Sequence, residues 1–220
     1  MKSPPPKQIR VVLVDDHRMF REQLAQLVER AGDLSVCGEA ETVDEALSLI
    51  RRMRPGVALV DITLKGASGL ELVKQLRAEG IDLPVLVLSM HEESLYAERA
   101  LRAGANGYIT KHEASADVLH AIRQVLAGAI YLSPPFMARM MGKMMGKQPG
   151  AGDPIERLTD RELEVFRLLG RGLTTREIGA QLGVGAATVD TYTARIKEKL
   201  HVENSARLRL EASRWAQRLE

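Results

Sequence analysis

At 220 residues the chain is long enough for two small domains, and its 45% hydrophobic and 27% charged residues suit a globular protein. No apolar run approaches the roughly 20 residues that span a bilayer, and the opening MKSPPPKQ has no apolar signal segment and reads as a disordered lead-in. A formal net charge of +2 argues for no partner by itself, and one cysteine, Cys37, excludes an intrachain disulfide and fits a reducing cytoplasm.

The first apolar run, 9–14, leads into VVLVDDH, where Asp15 and Asp16 stand side by side. Two adjacent carboxylates repel each other unless a cation or proton lies between them. The plain alternative is a strand ending in water, with Asp16 capping the helix that follows. Further apolar runs lie at 34–38, 57–61, 84–89 and 106–110, and Cys37 sits inside the second as a buried structural thiol. Between them, stretches such as DEALSLIRRM and ESLYAERALRA carry apolar residues at helical spacing. The order is (βα)₅, and continuous Val/Leu strands predict an α/β fold with a doubly wound parallel sheet covered by helices on both faces.

The alternation stops after a helical stretch at 115–128. Methionines at 137, 140, 141, 144 and 145 then form one stripe of a helix. It reads as a helix packed on its own protein, or as a linker helix that docks and releases, since Met repacks easily. KQPGAGDP follows as a flexible linker. From about Glu156 the pattern is wholly helical, with capping boxes at Thr159/Glu162 and Thr174/Glu177, a helix ending at LGVG, a third running to about Leu200 and a fourth over 204–217. The predicted organisation is an α/β domain at 8–130, a linker with a Met-rich helix at 131–155, and an all-α domain at 156–220.

Ligands of parallel α/β sheets gather at the carboxyl ends of the strands. The first strand delivers Asp15 and Asp16 there, the third Asp61, the fourth Ser89, and the fifth leads to Lys111 in GYITK. Three carboxylates invite a hard divalent cation with oxygen ligands, for which Mg²⁺ is the natural candidate. With a hydroxyl and an ammonium added, the set suits a phosphoryl group beside a metal. Ser89 as a strand-end hydroxyl and Tyr108 as a packing residue are the bland alternatives.

Asp15, Asp16, Asp61, Ser89 and Lys111, with Tyr108 three residues before the lysine, resemble a response-regulator receiver domain over 8–130. The resemblance implies that Asp61 accepts a phosphoryl group from a sensor histidine kinase. It implies that Asp16, Asp61 and the main-chain carbonyl of Thr63 bind Mg²⁺, with Asp15 acting through water. It further implies that Lys111 pairs with the phosphate, Ser89 turns to bond it, and Tyr108 changes rotamer as the readout. Lys65 departs from the family, in which many members carry proline there. The histidines at 17, 91, 112, 120 and 201 show no metal-ligand spacing, and His91 lies where receivers tune the access of water to the acyl phosphate.

LTTREIGAQLGVGAATVDTYTARIKEKL holds two helices joined by a glycine-bearing turn, a helix-turn-helix whose second helix enters the DNA major groove. The span 158–212 resembles the LuxR-type domain of NarL/FixJ-like regulators. Val189, Ile196 and Leu200 recur at helical intervals and should face the core, leaving Thr188, Asp190, Thr191 and Ala194 towards base edges. Arg176, Arg195, Lys197 and Lys199 are the expected phosphate contacts. Position 190 is often lysine in this family, Gly185 replaces a serine or threonine cap, and Tyr192 replaces a common histidine. Residues 156–220 carry 12 basic and 10 acidic side chains, so binding should be weak for a monomer and call for dimerisation. Asp190 either reads cytosine N4 or pairs with Arg195 or a neighbouring basic side chain.

These observations predict a cytoplasmic DNA-binding transcriptional regulator, not an enzyme, switched by phosphorylation of Asp61. Its partners would be a sensor histidine kinase, double-stranded DNA and a second copy of itself, with RNA polymerase as a further contact and no membrane. The rival is a phosphorylation-independent regulator whose receiver serves as a dimerisation or protein-binding module. A phosphoaspartate hydrolase fits poorly, because Asp61 is followed by Ile62 and Thr63 rather than by the second acid of a DxD pair.

Overall fold

In the computed structural model of the chain, residues 8–90, 93–144 and 154–217 are described. The chain divides into two compact units, Met1–Gln148 and Pro149–Glu220. His91 and the stretch 145–153, which holds Met145 and most of the expected flexible linker, lie outside the described residues.

The first unit is built on strands β1 (Ile9–Val14), β2 (Leu34–Ala40), β3 (Val57–Asp61), β4 (Val85–Ser89) and β5 (Gly107–Thr110), all parallel, in the order β2-β1-β3-β4-β5. Helices α1 (Arg18–Arg30), α2 (Val43–Met53), α3 (Gly69–Ala78), α4 (Glu93–Ala103) and α5 (Lys111–Leu126) connect and cover them. Successive strand residues face opposite sides of a sheet. Val11, Leu13, Leu59, Leu86, Leu88 and Ile109 accordingly share a core with Leu24 and Val28 of α1 and Val118 and Ile122 of α5. Val12, Val14, Val60 and Val87, the residues between, are equally buried. Burial on both faces is the physical reason the strands read as unbroken apolar runs. The strand order reverses direction between β1 and β3, which makes their carboxyl ends the natural crevice for a ligand.

Two expectations are corrected at helix starts. Asp16 does not cap α1: His17 holds the N-cap position and makes no side-chain cap bond. Helix α5 begins at Lys111, four residues before the expected 115, because Thr110 and Glu113 form a capping box absent from the sequence reading. That box places Lys111 in the first turn, directly after β5.

The stretch after α5 pairs with the edge of the sheet. Tyr131 lies along the open edge of β5, where its N–H donates to Asn106 O (3.1 Å) and its carbonyl accepts from Tyr108 N (2.9 Å). Helix α6 (Pro134–Met144) follows, with Leu132 and Phe136 buried but Met137 and Met141 exposed. Phe136 rather than these two methionines anchors the segment, so residues 131–144 are part of the first unit.

The loop after β3 returns through a close approach. Thr63 pairs antiparallel with Ser68, Gly66 turns the tip at φ +76°, and Gly69 N donates to Ile62 O at 2.7 Å. A Cβ on Gly69 would stand 1.9 Å from the carbonyl oxygen of Asp61. Backbone cannot yield as a side-chain tip can, so Gly69→Ala should cost about 1–3 kcal/mol as overpacking, read as a lower urea midpoint with an unchanged slope.

The second unit is helical: a 3₁₀ turn at Pro154–Arg157, then α7 (Asp160–Gly170), α8 (Thr175–Leu182), α9 (Ala186–Leu200) and α10 (Ser205–Gln217). Both predicted capping boxes form, Thr159/Glu162 on α7 and Thr174/Glu177 on α8. Its core includes Phe166 of α7 set edge-on to Trp215 of α10 at 5.5 Å, with Ile178, Val189, Ile196 and Leu208 buried around them. Helix α8 ends on Gly183 at φ +66°, a left-handed conformation suited to glycine, and Val184 N bonds back to Gly179 O at 2.9 Å. That is the tight turn of the helix-turn-helix.

Candidate acidic pocket and nucleic-acid interface

Period-2 alternation puts Asp15 on the side of Leu13 and Asp61 on the side of Leu59, both facing α1 and α5. Their carboxylates meet Lys111 there. Its Nζ lies 2.6 Å from Asp15 Oδ2 and 2.7 Å from Asp61 Oδ2, with all three side chains nearly inaccessible. The ammonium also stands 4.5 Å from the centre of the Phe20 ring, a cation–π contact that helps fix it. Thr63 N donates to Asp61 Oδ1 at 3.3 Å. Burial pushes the Asp61 carboxyl up to about 7, reinforced by the charge of Asp15 and opposed by Lys111.

Asp16 completes the acid triad, and His17, to which the sequence reading gave no metal-ligand role, joins it. His17 Nδ1 lies 2.9 Å from Asp16 Oδ1, 3.4 Å from Asp15 Oδ1 and 3.9 Å from Asp61 Oδ2. Asp15, Asp16, His17 and Asp61 each offer a ligand atom within 4.8 Å of the others. Asp15 Oδ2 and Asp16 Oδ1 are buried yet accept no aligned hydrogen bond; Lys111 Nζ lies 2.6 Å from the first and His17 Nδ1 2.9 Å from the second. Buried carboxylate oxygens without donors are a costly arrangement that a hard cation relieves. The residues therefore fit Mg²⁺, with oxygen ligands preferred over the exposed imidazole.

Ser89 and Tyr108 are fully buried on the neighbouring strands. Asp61 pairs with Leu88, Ser89 with Thr110, and Val87 with Tyr108. The register thus carries Ser89 one residue beyond the level of Asp61, and sets Tyr108 on the face opposite Ile109.

Arg21 was missed by the sequence reading. It occupies the buried stripe of α1 with Leu24 and Val28, and its Nη1 donates to the Asp15 carbonyl at 2.5 Å. A charged residue at an apolar helical position was the available signal.

On α9, Val189 and Ile196 are buried as expected, Leu200 is half-buried, and Ala186, Ala187, Thr188, Asp190, Thr191, Ala194 and Arg195 are exposed. Thr191 Oγ1 bonds back to Ala187 O at 2.9 Å. Gly185 provides no side-chain cap. Arg176 is exposed on α8 and Lys197 half-buried on α9. Lys199, also expected at a phosphate, donates its Nζ to Glu162 Oε2 at 2.6 Å. Burial acts against it, but Lys199 and Thr159 hold the Glu162 carboxyl below the usual carboxylate range. This lysine ties α9 to the capping box of α7.

Two family models match: residues 11–123 the response regulator receiver domain, and residues 156–212 the bacterial regulatory proteins of the luxR family. The chain is 38% identical to the transcriptional activator protein ExaE of Pseudomonas putida over 90% of its own length and 92% of the relative's. It is 34% identical to the response regulator GacA of Pseudomonas protegens over 94% of its length and 96% of that protein's. Among solved structures, a LuxR-family two-component response regulator from Aurantimonas sp. SI85-9A1 is 34% identical with a TM-score of 0.59, covering 63% of this chain and 99% of that one. The chain belongs to the two-component response regulators that join a receiver to a LuxR-type helix-turn-helix domain, a family of DNA-binding transcriptional regulators rather than a known class of enzyme. Among the described residues no helix is long and apolar enough to cross a membrane.

Proposed function

We propose that Asp61 takes a phosphoryl group from a phosphohistidine of a sensor kinase and that the resulting acyl phosphate switches DNA binding. The observation that carries this reading is the buried contact of Lys111 Nζ with Asp61 Oδ2 at 2.7 Å, which places a fixed cation beside the nucleophile. In the transfer, an Asp61 carboxylate oxygen attacks phosphorus and the P–N bond breaks. The electron pair returns to the imidazole nitrogen, which takes up a proton. Lys111 balances charge on the transferred group, and such preorganised neutralisation is the main contribution a protein makes to phosphoryl transfer. Asp16, Asp61 and the Thr63 carbonyl would hold Mg²⁺, with Asp15 acting through water. When bound, the ion would offset the negative charge of phosphate and carboxylates together. Ser89 at the end of β4 and Tyr108 within β5 carry the change onward.

Helix α9 would enter the major groove with Thr188, Asp190, Thr191 and Ala194 at base edges and Arg195 beside them. Arg176, Arg195 and Lys197 are the proposed phosphate contacts. With so little net positive charge, one copy should bind weakly, so the active form is a homodimer acting in the cytoplasm, with RNA polymerase as a downstream contact.

Incubating the full chain with a small phosphodonor and Mg²⁺ tests the reading. A lasting acyl phosphate is expected; no labelling would favour a phosphorylation-independent regulator, and rapid multiple turnover a hydrolase. Sedimentation should show the dimer fraction rising with a phosphate mimic, since about 2–3 kcal/mol of bias shifts a two-state ratio roughly 30- to 150-fold. Equal dimer fractions with and without the mimic would remove the switch while leaving DNA binding in place.

A further inference from the structure

Arg21 is not only a ligand of the Asp15 carbonyl. Its Nε donates to Glu39 Oε2 at 2.6 Å and its Nη2 to Glu41 Oε1 at 3.1 Å, while its side chain is about 10% exposed. Glu41 uses its other oxygen for Lys65, with Nζ at 3.3 Å, and its N–H donates to Glu45 Oε2 at 2.9 Å. Arg21 and Lys65 together hold the Glu41 carboxyl below the usual carboxylate range. Lys65 sits beside Gly66 at the tip of the turn that begins at Thr63. Three loops at the carboxyl edge of the sheet are thereby tied in series: Asp15 after β1, Glu41 after β2 and Lys65 after β3.

We propose that Arg21, Glu41 and Lys65 form a positioning relay that sets the place of the Thr63 turn relative to Asp15, and so tunes the affinity of the acidic pocket for its divalent cation. The proposal rests on the pocket being a Mg²⁺ site. None of the three residues touches the ion in this scheme. Arg21 acts through the Asp15 main chain, Lys65 through the turn that carries the Thr63 carbonyl, and Glu41 joins them. Lys65 thus ties the turn to Glu41 by charge.

The sign of the effect separates positioning from plain electrostatics. Lys65 is a cation, so removing it from the neighbourhood of a bound cation should tighten Mg²⁺ binding if charge alone matters. Loss of positioning should weaken it. Lys65 is well exposed, with 60% of its side chain accessible, so Lys65→Ala should fold normally.

Calorimetric titration of MgCl₂ into the full chain at constant ionic strength decides the matter. We expect Kd for Mg²⁺ to rise about two- to fivefold in Lys65→Ala, the range that a partly exposed ion pair can supply. Glu41→Gln should weaken binding at least as much, and adding Lys65→Ala to it should change nothing more, because the tie is already cut. Asp16→Asn serves as the pocket control and should weaken binding more than any relay variant. Tighter or unchanged binding in Lys65→Ala, or full additivity with Glu41→Gln, would overturn the relay while Asp16→Asn still upheld the pocket. A wild-type chain that bound no Mg²⁺ would overturn both.

Discussion

Asp61→Asn should abolish the phosphate adduct seen by intact-mass measurement after treatment with a small phosphodonor and Mg²⁺. Asp61 is the carboxylate that lies at the end of β3 against Lys111 Nζ, and it accepts Thr63 N on its other oxygen. An amide keeps the shape and the Thr63 contact but has no anionic oxygen to attack phosphorus, so the loss should be complete rather than partial. An undiminished adduct would move the site to another residue. Lys111→Ala gives a second reading on the same pocket. The ammonium pairs with both Asp15 and Asp61 inside a buried site, and removing one member of a buried charge cluster costs about 3–5 kcal/mol in stability. The carboxylates that would hold Mg²⁺ remain, so the ion should still bind. The acyl phosphate, lacking its fixed cation, should then drive dimerisation less than in the wild type, measured by sedimentation.

Asp190→Ala should bind random DNA slightly better and yet lose discrimination at one base pair of each half-site. Asp190 is exposed on α9, and among the described residues it forms no ion pair with Arg195. The two are five positions apart, which puts them on different sides of the helix, whereas neighbours on a helix surface stand three or four apart. Pairing with Arg195 therefore does not account for the carboxylate in the free protein, and the substitution tests the proposed reading role against pairing with another basic side chain. In the major groove a carboxylate accepts from cytosine N4, and a well-aligned contact is worth about 1–3 kcal/mol of discrimination, or roughly 5- to 150-fold. Asp190→Lys should go further, with tighter non-specific binding and a salt dependence steeper by about one unit of slope for each phosphate newly neutralised. Selection of bound fragments followed by salt titration measures both. Unchanged base preferences in the alanine variant would leave Asp190 without a reading role.

The distribution of charge in the second unit bears on how these experiments are read. Lys199, by position an obvious phosphate contact, is held by Glu162 at 2.6 Å. Its loss would weaken DNA binding by loosening α9 from α7 rather than by removing a phosphate contact. Stability and the salt slope distinguish the two: the first should fall and the second hardly move.

The five strands were legible from the chain alone because a sheet buried on both faces demands unbroken apolar runs, and each run ends where water and ligand begin. That rule placed Asp15, Asp16, Asp61, Ser89 and Lys111 on one edge without coordinates. The two capping boxes of the helical unit were legible for a similar reason, since both partners lie within one turn. What only the tertiary structure decided are contacts between side chains far apart in sequence, which follow no period. Arg21 with Glu39 and Glu41, Glu41 with Lys65, and Lys199 with Glu162 are of this kind. His17 is the nearest case, for its neighbours in sequence do not reveal that Asp61 will close the same cluster. Periodicity determines which face of an element is buried; which charges then meet depends on how the loops between elements are folded together.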